Sequence, residues 1–454
     1  MISAVVNVFK IRDLRNKILF TAALLIIYRI GFHITCPGFD YAAIKAAAGS
    51  QESDTPLGRA AQYMQIFTGG KLDNSVLFGL GVMPYITASI ILMLLGEVVP
   101  SVRKLRQEGQ VGHRKIQEYT RYLTVPVCIV QAMMYIKMLG MYIYPGTQFE
   151  TSILGVVSMT AGSMFLMWLG EQIDEYGVGN GISLIIMAGI IERMPWAIRM
   201  LIKQVDMTPG AQGVGPAKLI FLLVAFVAVV AGTILITQAQ RRIPIQQAKM
   251  MRGHRMFGGQ RSYIPLRVNG GGVMPIVFAS SLMMFPPILI DTLAKLADSK
   301  HWNDTLTSVL LSIAAALNRG GFVYNVLYML FIFVFAYFWI TVQFQPREWA
   351  KNLRDSGSFV PGLRPGKRTA DYLETVMMRI TYYGAAFLSI IAVVPSMIST
   401  WMGIDWRVST FLGGTGLLIV VSVSLDLVQK IEAGLLMHSY EGFSDAGRIK
   451  GAYS

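Results

Sequence analysis

Apolar segments of roughly 20 residues, each long enough to cross a bilayer as a helix, recur along this chain. They lie near 18–36, 75–96, 119–139, 151–170, 181–201, 217–237, 271–290, 322–343, 376–397 and 409–428. A backbone inside lipid must satisfy its own hydrogen bonds, so such segments fold as helices. Only 15% of the residues are charged, below the roughly 25% of soluble domains. We therefore predict an all-α polytopic membrane protein with about ten spanning helices.

One sequence frame occurs twice, each time opening an apolar segment. Residues 79–89 read GLGVMPYITAS, and residues 270–280 read GGGVMPIVFAS. Internal repeats build many channels and transporters, whose working site lies at the repeat interface. We therefore expect two related halves, 1–210 and 211–454. Pro84 and Pro275 are candidate hinges, because a proline breaks helix hydrogen bonds.

The charge of the loops alternates along the chain. The loops at 97–118, 239–268 and 344–375 are rich in arginine and lysine, whereas 37–74 is slightly acidic and 140–150 has no basic residue. The positive-inside rule then places the basic loops and both termini in the cytoplasm. The formal net charge of +14 comes largely from these loops, so it does not require a nucleic-acid partner.

Two of the basic loops, 239–268 and 344–375, are about 30 residues long, which exceeds ordinary connections and suggests a function. The first contains GHRMFGGQRSYIPLR, whose turn residues and alternating side chains predict a β-hairpin. A basic loop of this kind can rest on anionic lipid headgroups. It can also dock a large anionic partner, such as a ribosome or an acidic protein surface.

Ionisable residues deep in a membrane are costly and mark catalytic or ion-coupling sites. Here Glu97, Glu171, Asp174 and Asp426 fall at predicted helix ends. Arg29, in the outer half of the first segment, is interpreted as snorkelling or pairing with a carbonyl. The sequence has no HExxH, no phosphate-binding loop and no GxSxG element. We therefore expect no enzyme, no metal site and no cofactor, and we disfavour a proton-coupled pump.

Bulky aliphatic residues are abundant at mid-depth. Ile86 and Ile90 lie one helical turn apart in the second segment, as do Ile182 and Ile186 in the fifth. Each pair follows a glycine-rich opening, and a third opening, GGTG, stands at 413–416. Such stripes are typical of a core or of a lipid-facing surface. Broken helices near the midplane are also what a gated pathway requires.

Ordered sequence blocks extend along nearly the whole chain. They include IFTGG at 66–70, GVMPYITASI at 81–90, EGQVGHRKIQEYTRY at 108–122, MFLMWLGEQIDEYGVGNGIS at 164–183, MPIVFASS at 274–281, QPREWAKNLRDSGSFVPGLRPG at 345–366 and GGTGLLIVV at 413–421. In this order and spacing they resemble the SecY family, the central subunits of the protein-translocation channel. The resemblance implies two inversely related five-helix halves. These would form an hourglass that opens sideways between helices two and three and helices seven and eight.

The resemblance also implies roles for particular residues. The constriction ring falls on Ile86, Ile90, Ile182, Ile186, Val277 and Ile419, with valine at 277 in place of the usual isoleucine. The plug corresponds to residues near 62–72, with Gln65, Ile66, Phe67, Thr68, Gly69 and Gly70. The long basic loops would bind the ribosome and the motor ATPase SecA through Arg241, Arg242, Arg255, Arg354, Arg364 and Lys367. Arg364 matches the arginine on which SecA-driven transport depends.

The implied function is a protein-conducting channel for signal peptides and unfolded nascent chains, with release of apolar segments into the lipid bilayer. SecE and SecG, two small membrane subunits, are the implied companions, and a bacterial inner membrane or a thylakoid membrane is the implied location. The residues leave another function open, a secondary transporter for a small solute. That transporter would need a polar site near the broken helices, from Thr87, Asn180 and Asn269.

Overall fold

The computed structural model is predominantly helical in the part of the chain that it describes. The described residues are 11–36, 38–40, 77–139, 143–144, 146–204, 215–247, 250–252, 255–257, 261–272, 274–283, 286–287, 290, 293–294, 297, 304–317, 321–402 and 415–446. The predicted plug at 62–72, with Gln65 to Gly70, lies outside them.

The helices follow one another as α1 (Arg12–Gly31), α2 (Met83–Val98), α3 (Pro100–Gln107), α4 (Gln110–Leu139), α5 (Gln148–Tyr176), α6 (Gly181–Gln204), α7 (Pro216–Gln238), α8 (Met274–Leu282), α9 (Asp304–Ala316), α10 (Phe322–Gln343), α11 (Pro346–Asp355), α12 (Lys367–Met402) and α13 (Thr415–Ala446). Among the described residues, 5 helical stretches are long and apolar enough to cross a membrane: Gln148–Tyr176, Gly181–Ile202, Pro216–Gln238, Phe322–Asp355 and Lys367–Val394. The predicted helical membrane architecture is therefore confirmed.

Helix boundaries differ from the predicted apolar segments mainly where polar residues extend a helix. Helix α4 begins nine residues before the segment predicted at 119–139, and α12 exceeds 376–397 at both ends. The seventh predicted segment, 271–290, contains α8. This helix has 9 residues, which are too few to cross a membrane. The count of ten spans stays a prediction.

The chain separates into two compact units. The first unit comprises Met1–Pro195 and Val423–Ser454, and the second comprises Trp196–Ser422. In the first unit, α4 packs against both α2 and α5, and α1 packs against α5. In the second, α10 packs against both α8 and α12, and α7 packs against α12. The predicted halves, 1–210 and 211–454, and their inverted relation stay predictions.

The two copies of the repeated frame fold in the same way. Gly81 and Gly272 occupy equivalent positions and both adopt the left-handed region, with φ values of 55° and 59°, which a glycine enters without steric cost. In each copy this glycine N–H donates to the carbonyl three residues earlier, and the methionine that starts the helix does likewise. The repeat is therefore a structural repeat at these two helix starts.

The two long basic loops fold together into a small sheet in the second unit. Strands β1 (Gln240–Gln247) and β4 (Arg261–Arg267) pair antiparallel, and β5 (Ser358–Phe359) pairs with the other edge of β1. Strands β2 (Met250–Arg252) and β3 (Arg255–Phe257) form a second, two-stranded sheet. The segment 253–267 does contain strands, as predicted, but the predicted hairpin within it was wrong: β4 pairs with β1 and β3 pairs with β2, because burial of Ile243 against Ile264 sets the partner of β4. We call the sheet of β4, β1 and β5 the loop sheet.

Apolar side chains on alternate positions fix the loop sheet to the helices below it. Ile243 and Ile264 are direct partners across the β1–β4 pair, and both are buried. They join a core cluster with Leu373 and Met377 of α12. On the exposed side, the Arg242 guanidinium lies 4.9 Å from the centre of the Tyr263 ring, a cation–π contact. The sheet thus buries aliphatic residues on one face and presents arginine on the other.

Candidate functional site

The first copy of the repeated frame places two predicted ring residues on α2. The turn before the helix is held by Leu80, which is 1% exposed and belongs to an apolar core cluster with Phe39 and Met159. Ile86 lies one turn into the helix and is 5% exposed. Ile90 follows one turn later and is half-buried. The apolar anchor at Leu80 therefore sets where both isoleucines lie.

Side-chain hydrogen bonds define the start of α6, directly before the predicted ring residue Ile182. Asp174 Oδ1 accepts from the Gly181 N–H at 2.8 Å. Asn180 Oδ1 accepts from the Ser183 N–H at 3.0 Å. Both bonds satisfy backbone donors that a helix start leaves without partners. The position of Ile182 is thus set by polar groups on each side of the turn.

Two glycines bring α5 and α6 into backbone contact beside the same isoleucine. A Cβ atom on Gly181 would collide with the carbonyl oxygen of Gly170. A Cβ atom on Gly170 would lie 2.9 Å from Cγ1 of Ile182. Small residues permit such close approach between membrane helices. Ile186, one turn further along α6, is 6% exposed.

The remaining predicted ring residues lie in the second unit. Val277 is on α8 and is 3% exposed, and its carbonyl accepts from Ser281 Oγ at 2.7 Å. Phe278 packs this short helix against α10, with its ring edge-on to Phe335 and Trp339. Ile419, near the start of α13, is 1% exposed. All six predicted ring residues are buried or half-buried. Their convergence on one passage stays a prediction.

The candidate hinge prolines do not interrupt helices. Pro84 and Pro275 are each the second residue of their helix, in α2 and α8. A proline in the first turn removes no helix hydrogen bond, because the N–H there has no partner within the helix. The expectation that they break helix hydrogen bonds was therefore wrong. The structure places Pro126 and Pro195 inside α4 and α6 instead.

The predicted partner-binding residues lie on or near the loop sheet. Arg241 and Arg242 are exposed on β1. Arg354 is exposed at the end of α11, where its Nε lies 3.4 Å from Asp355 Oδ1. Arg364 and Lys367 are exposed at the turn into α12, and Arg255 lies on β3. The pairing of β1 with β5 joins both predicted loops in one unit, which the sequence analysis did not foresee.

Two of the three polar residues that a small-solute transporter would need form local hydrogen bonds. Thr87 Oγ1 donates to the Met83 carbonyl one turn earlier, at 3.0 Å. Asn180 caps α6, as described above. Asn269 is buried, and its Nδ2 has no hydrogen-bond partner among the described residues. Within the same part of the chain, no three His, Cys, Asp or Glu side chains come close enough together to hold a metal ion.

An ion pair between α1 and α6 was missed by the sequence analysis. Arg29 pairs with Glu192, so its interpretation as a snorkelling or carbonyl-bound arginine was wrong. Glu192 lies inside the fifth apolar segment, and Arg29 lies inside the first. An acid and a base in two different apolar segments were the only sign of this ion pair in the sequence. By contrast, Glu171 pairs with Arg121 of α4 at 2.6 Å, near the end of α5.

These features define the class of protein: a polytopic helical membrane protein with buried aliphatic residues at glycine-opened helix starts and a basic sheet made from two loops. A family model described as SecY matches residues 76–428. A relative from Thermotoga maritima named protein translocase subunit SecY is 38% identical over 450 residues, which cover 98% of each chain. The chain belongs to the SecY family.

Solved structures share the fold. One described as the structure of a protein conducting channel matches with a TM-score of 0.60 and 18% identity, over 92% of both chains. Another, described as Sec61 in the canine ribosome-channel complex from the endoplasmic reticulum, matches with a TM-score of 0.56 and 17% identity, again over 92% of both chains. At these identities the likeness establishes the fold alone.

Proposed function

We propose that this chain is the channel-forming subunit of a protein translocase, passing unfolded secretory polypeptides across a membrane and releasing apolar segments sideways into lipid. Its membership of the SecY family carries the proposal, because the relative from Thermotoga maritima, 38% identical over nearly the whole chain, is a protein translocase subunit. The buried aliphatic residues on α2, α6, α8 and α13 support it, because an aliphatic lining is what such a channel needs.

The six aliphatic residues are proposed to form the constriction through which the polypeptide passes. A pore for unfolded chains must admit many side chains without binding any of them tightly. Aliphatic groups offer no specific hydrogen bonds, so they fit around varied side chains without holding them. When empty, a hydrophobic constriction also tends to dewet and exclude ions. The segment at 62–72 is the proposed plug, and Pro84 and Pro275, at the first turns of α2 and α8, are the proposed hinges.

Sideways release follows from partitioning between the channel and lipid. A leucine-like residue at the centre of a helix gains about 0.3–0.6 kcal/mol on insertion, whereas aspartate, lysine or arginine costs about 2.5–3.5 kcal/mol. A signal core has about ten such apolar residues. Their sum favours lipid by roughly 3–6 kcal/mol, and one central charge cancels most of it. The channel therefore needs only to give the polypeptide access both to the far side of the membrane and to the lipid. The sequence of the polypeptide then determines which of the two it enters.

The exposed arginines around the loop sheet are the proposed docking surface for a ribosome and for the motor ATPase SecA. Strand β5 pairs with β1, so residues from two distant loops act as one folded surface. The structural relative from the canine ribosome-channel complex supports a ribosome partner. SecE and SecG are the proposed small companions. We also propose a bacterial inner membrane, cytoplasmic termini and no enzymatic activity of the chain itself.

Reconstituted transport tests this function. Proteoliposomes would hold the purified protein with its small subunits, and a secretory precursor would be offered with SecA and ATP. We expect the precursor to become protected from external protease, and an arginine in the centre of its signal core to abolish protection. Absence of protection, together with saturable uptake of a small solute, would overturn the proposal and favour a secondary transporter.

A further inference from the structure

Helix α1 holds α6 at two polar points. Thr21 is 8% exposed, and its Oγ1 accepts from the Val178 N–H at 3.1 Å, just before α6 begins. The same hydroxyl donates to the Lys17 carbonyl at 2.9 Å, which orients it towards the turn. Eight residues further along α1, or about 12 Å at the helical rise, Arg29 forms the ion pair with Glu192 of α6.

The two predicted ring residues of α6 lie between these two points. Ile182 and Ile186 follow Val178 and precede Glu192 in the chain. The turn before α6 rests directly on α1, because a Cβ atom on Gly177 would lie 2.6 Å from Thr21 Oγ1. Hydrogen bonds and ion pairs are directional and strong where the local dielectric is low. Two of them, on either side of the isoleucines, fix both the height and the rotation of the helix between them.

The ion pair is asymmetric. The Glu192 side chain is 20% exposed, and its Oε2 is buried without a hydrogen-bond partner among the described residues. The Arg29 side chain is 43% exposed. Loss of Arg29 would leave a largely buried carboxylate without its counter-charge, which is strongly unfavourable. Loss of the Glu192 charge would leave an arginine long enough to reach polar groups elsewhere. Substitution of Glu192 is therefore the better way to remove the ion pair between α1 and α6.

We propose that Thr21, Arg29 and Glu192 are positioning residues for the constriction, holding α6 so that Ile182 and Ile186 keep the closed channel selective. This inference rests on the proposed function, because it assigns these residues a task within the proposed ring. It predicts that weakening either point lets α6 move and relaxes the requirement for an intact signal sequence. Removal of the ring side chains themselves should have the same effect.

Export by the complete translocase in membranes tests the proposal, with one precursor carrying an intact signal and another a defective signal. The Glu192→Gln variant should raise export of the defective precursor by roughly fivefold or more, the lower range of coupling between sites. Export of the intact precursor and the amount of protein in the membrane should stay near normal. Thr21→Val, which removes the acceptor of the Val178 N–H, should act in the same direction.

Charge exchange separates positioning from a general loss of stability. The double variant Arg29→Glu with Glu192→Arg restores an ion pair with its charges exchanged. We expect it to export the defective precursor at nearly the low level of the unaltered protein. Ile186→Ser serves as the reference for a direct change in the ring. If Ile186→Ser relaxes signal selection and neither Glu192→Gln nor Thr21→Val does, the positioning role is overturned and the proposed function stands. If no precursor is exported even by the unaltered protein, the proposed function itself fails.

Discussion

Gly170 and Gly181 allow the backbones of α5 and α6 to come into contact, because neither residue has a side chain. The carbonyl oxygen of Gly170 occupies the space that a side chain on Gly181 would need. Gly215, at the start of α7, has an ordinary φ of −67°, and no atom of another described residue lies within 4 Å of the place that an added Cβ would take. These glycines therefore differ in what an added methyl group would do. Gly181 lies at a backbone contact, whereas the described part of the chain leaves space beside Gly215.

Alanine substitution at these glycines should give different results. Gly181→Ala should destabilise the protein by about 1–3 kcal/mol, because the overpacked contact forces α5 and α6 apart. Gly215→Ala should change stability by about 0.5 kcal/mol or less. The midpoint of thermal unfolding of the purified protein in detergent measures both. Equal midpoints for the two variants would contradict the assigned contact.

Single residues also show what the sequence could predict. The aliphatic stripes of Ile86 with Ile90 and of Ile182 with Ile186 are visible in the sequence because their spacing is local, whereas their assignment to a constriction ring came from the family resemblance. The prolines were misread, since their effect depends on where a helix begins, and the helix starts only at Met83 and Met274. The partner of Arg29 was missed because an ion pair between two spans has no local pattern. The pairing is set by tertiary packing.

At the scale of elements, the loop sheet joins two loops that are distant from each other in the chain. The presence of strands at 253–267 was predictable, because turn residues and alternation are local, but the pairing of β4 with β1, from outside that segment, was not. The pairing of β5 with β1 was not predictable, because a two-residue strand carries no periodic signal. The pairing of β5 with β1 is set by the buried apolar cluster on which the loop sheet packs. This cluster also contains Val360, directly after β5.

A cysteine pair tests the register of β1 and β5. Gln246 and Phe359 are direct partners, so Gln246→Cys with Phe359→Cys should form a disulfide on mild oxidation, because opposite residues of antiparallel strands place their Cβ atoms within reach. Gln240→Cys with Phe359→Cys is the control, since Gln240 lies at the other end of β1. Mass spectrometry of oxidised peptides measures the bond. A disulfide in the control pair alone would show that the register is wrong.

Arg364 tests the docking role of the same region. It is exposed at the turn before α12, where its carbonyl accepts from Thr369 Oγ1 at 3.0 Å. The Thr369 hydroxyl therefore holds the turn through the main-chain carbonyl of Arg364, and the Arg364 side chain can be changed without removing this bond. Arg364→Glu should abolish SecA-driven export, because it reverses charge on the docking surface. Arg368→Glu, the same change one turn further along the chain, should have a smaller effect. Export normalised to the amount of membrane-inserted protein measures both, and normal export by Arg364→Glu would remove the assigned role.

At the scale of the whole molecule, the proposed channel requires residues from both units to line one passage. The first unit carries Ile86, Ile90, Ile182 and Ile186, and the second carries Val277 and Ile419. The two repeated frames fold in the same way. Each unit therefore has a helix that begins after a glycine turn and carries an aliphatic residue in its first turn. The sequence predicted this repeat correctly, because seven identical letters in one frame are visible without any structure. Whether the two sets line one passage depends on the assembled molecule, because no local pattern encodes such a meeting.

Photo-crosslinking to an arrested secretory chain tests whether residues of both units line one passage. A photoreactive amino acid would be placed at Ile86 or Ile186 in the first unit, at Val277 in the second, or at the control position Ile191, which is 43% exposed on α6. We expect the three ring positions, from both units, to crosslink to the same arrested polypeptide and Ile191 to crosslink to it much less. Crosslinks from Ile191 alone, or from the positions of only one unit, would contradict a passage lined by both.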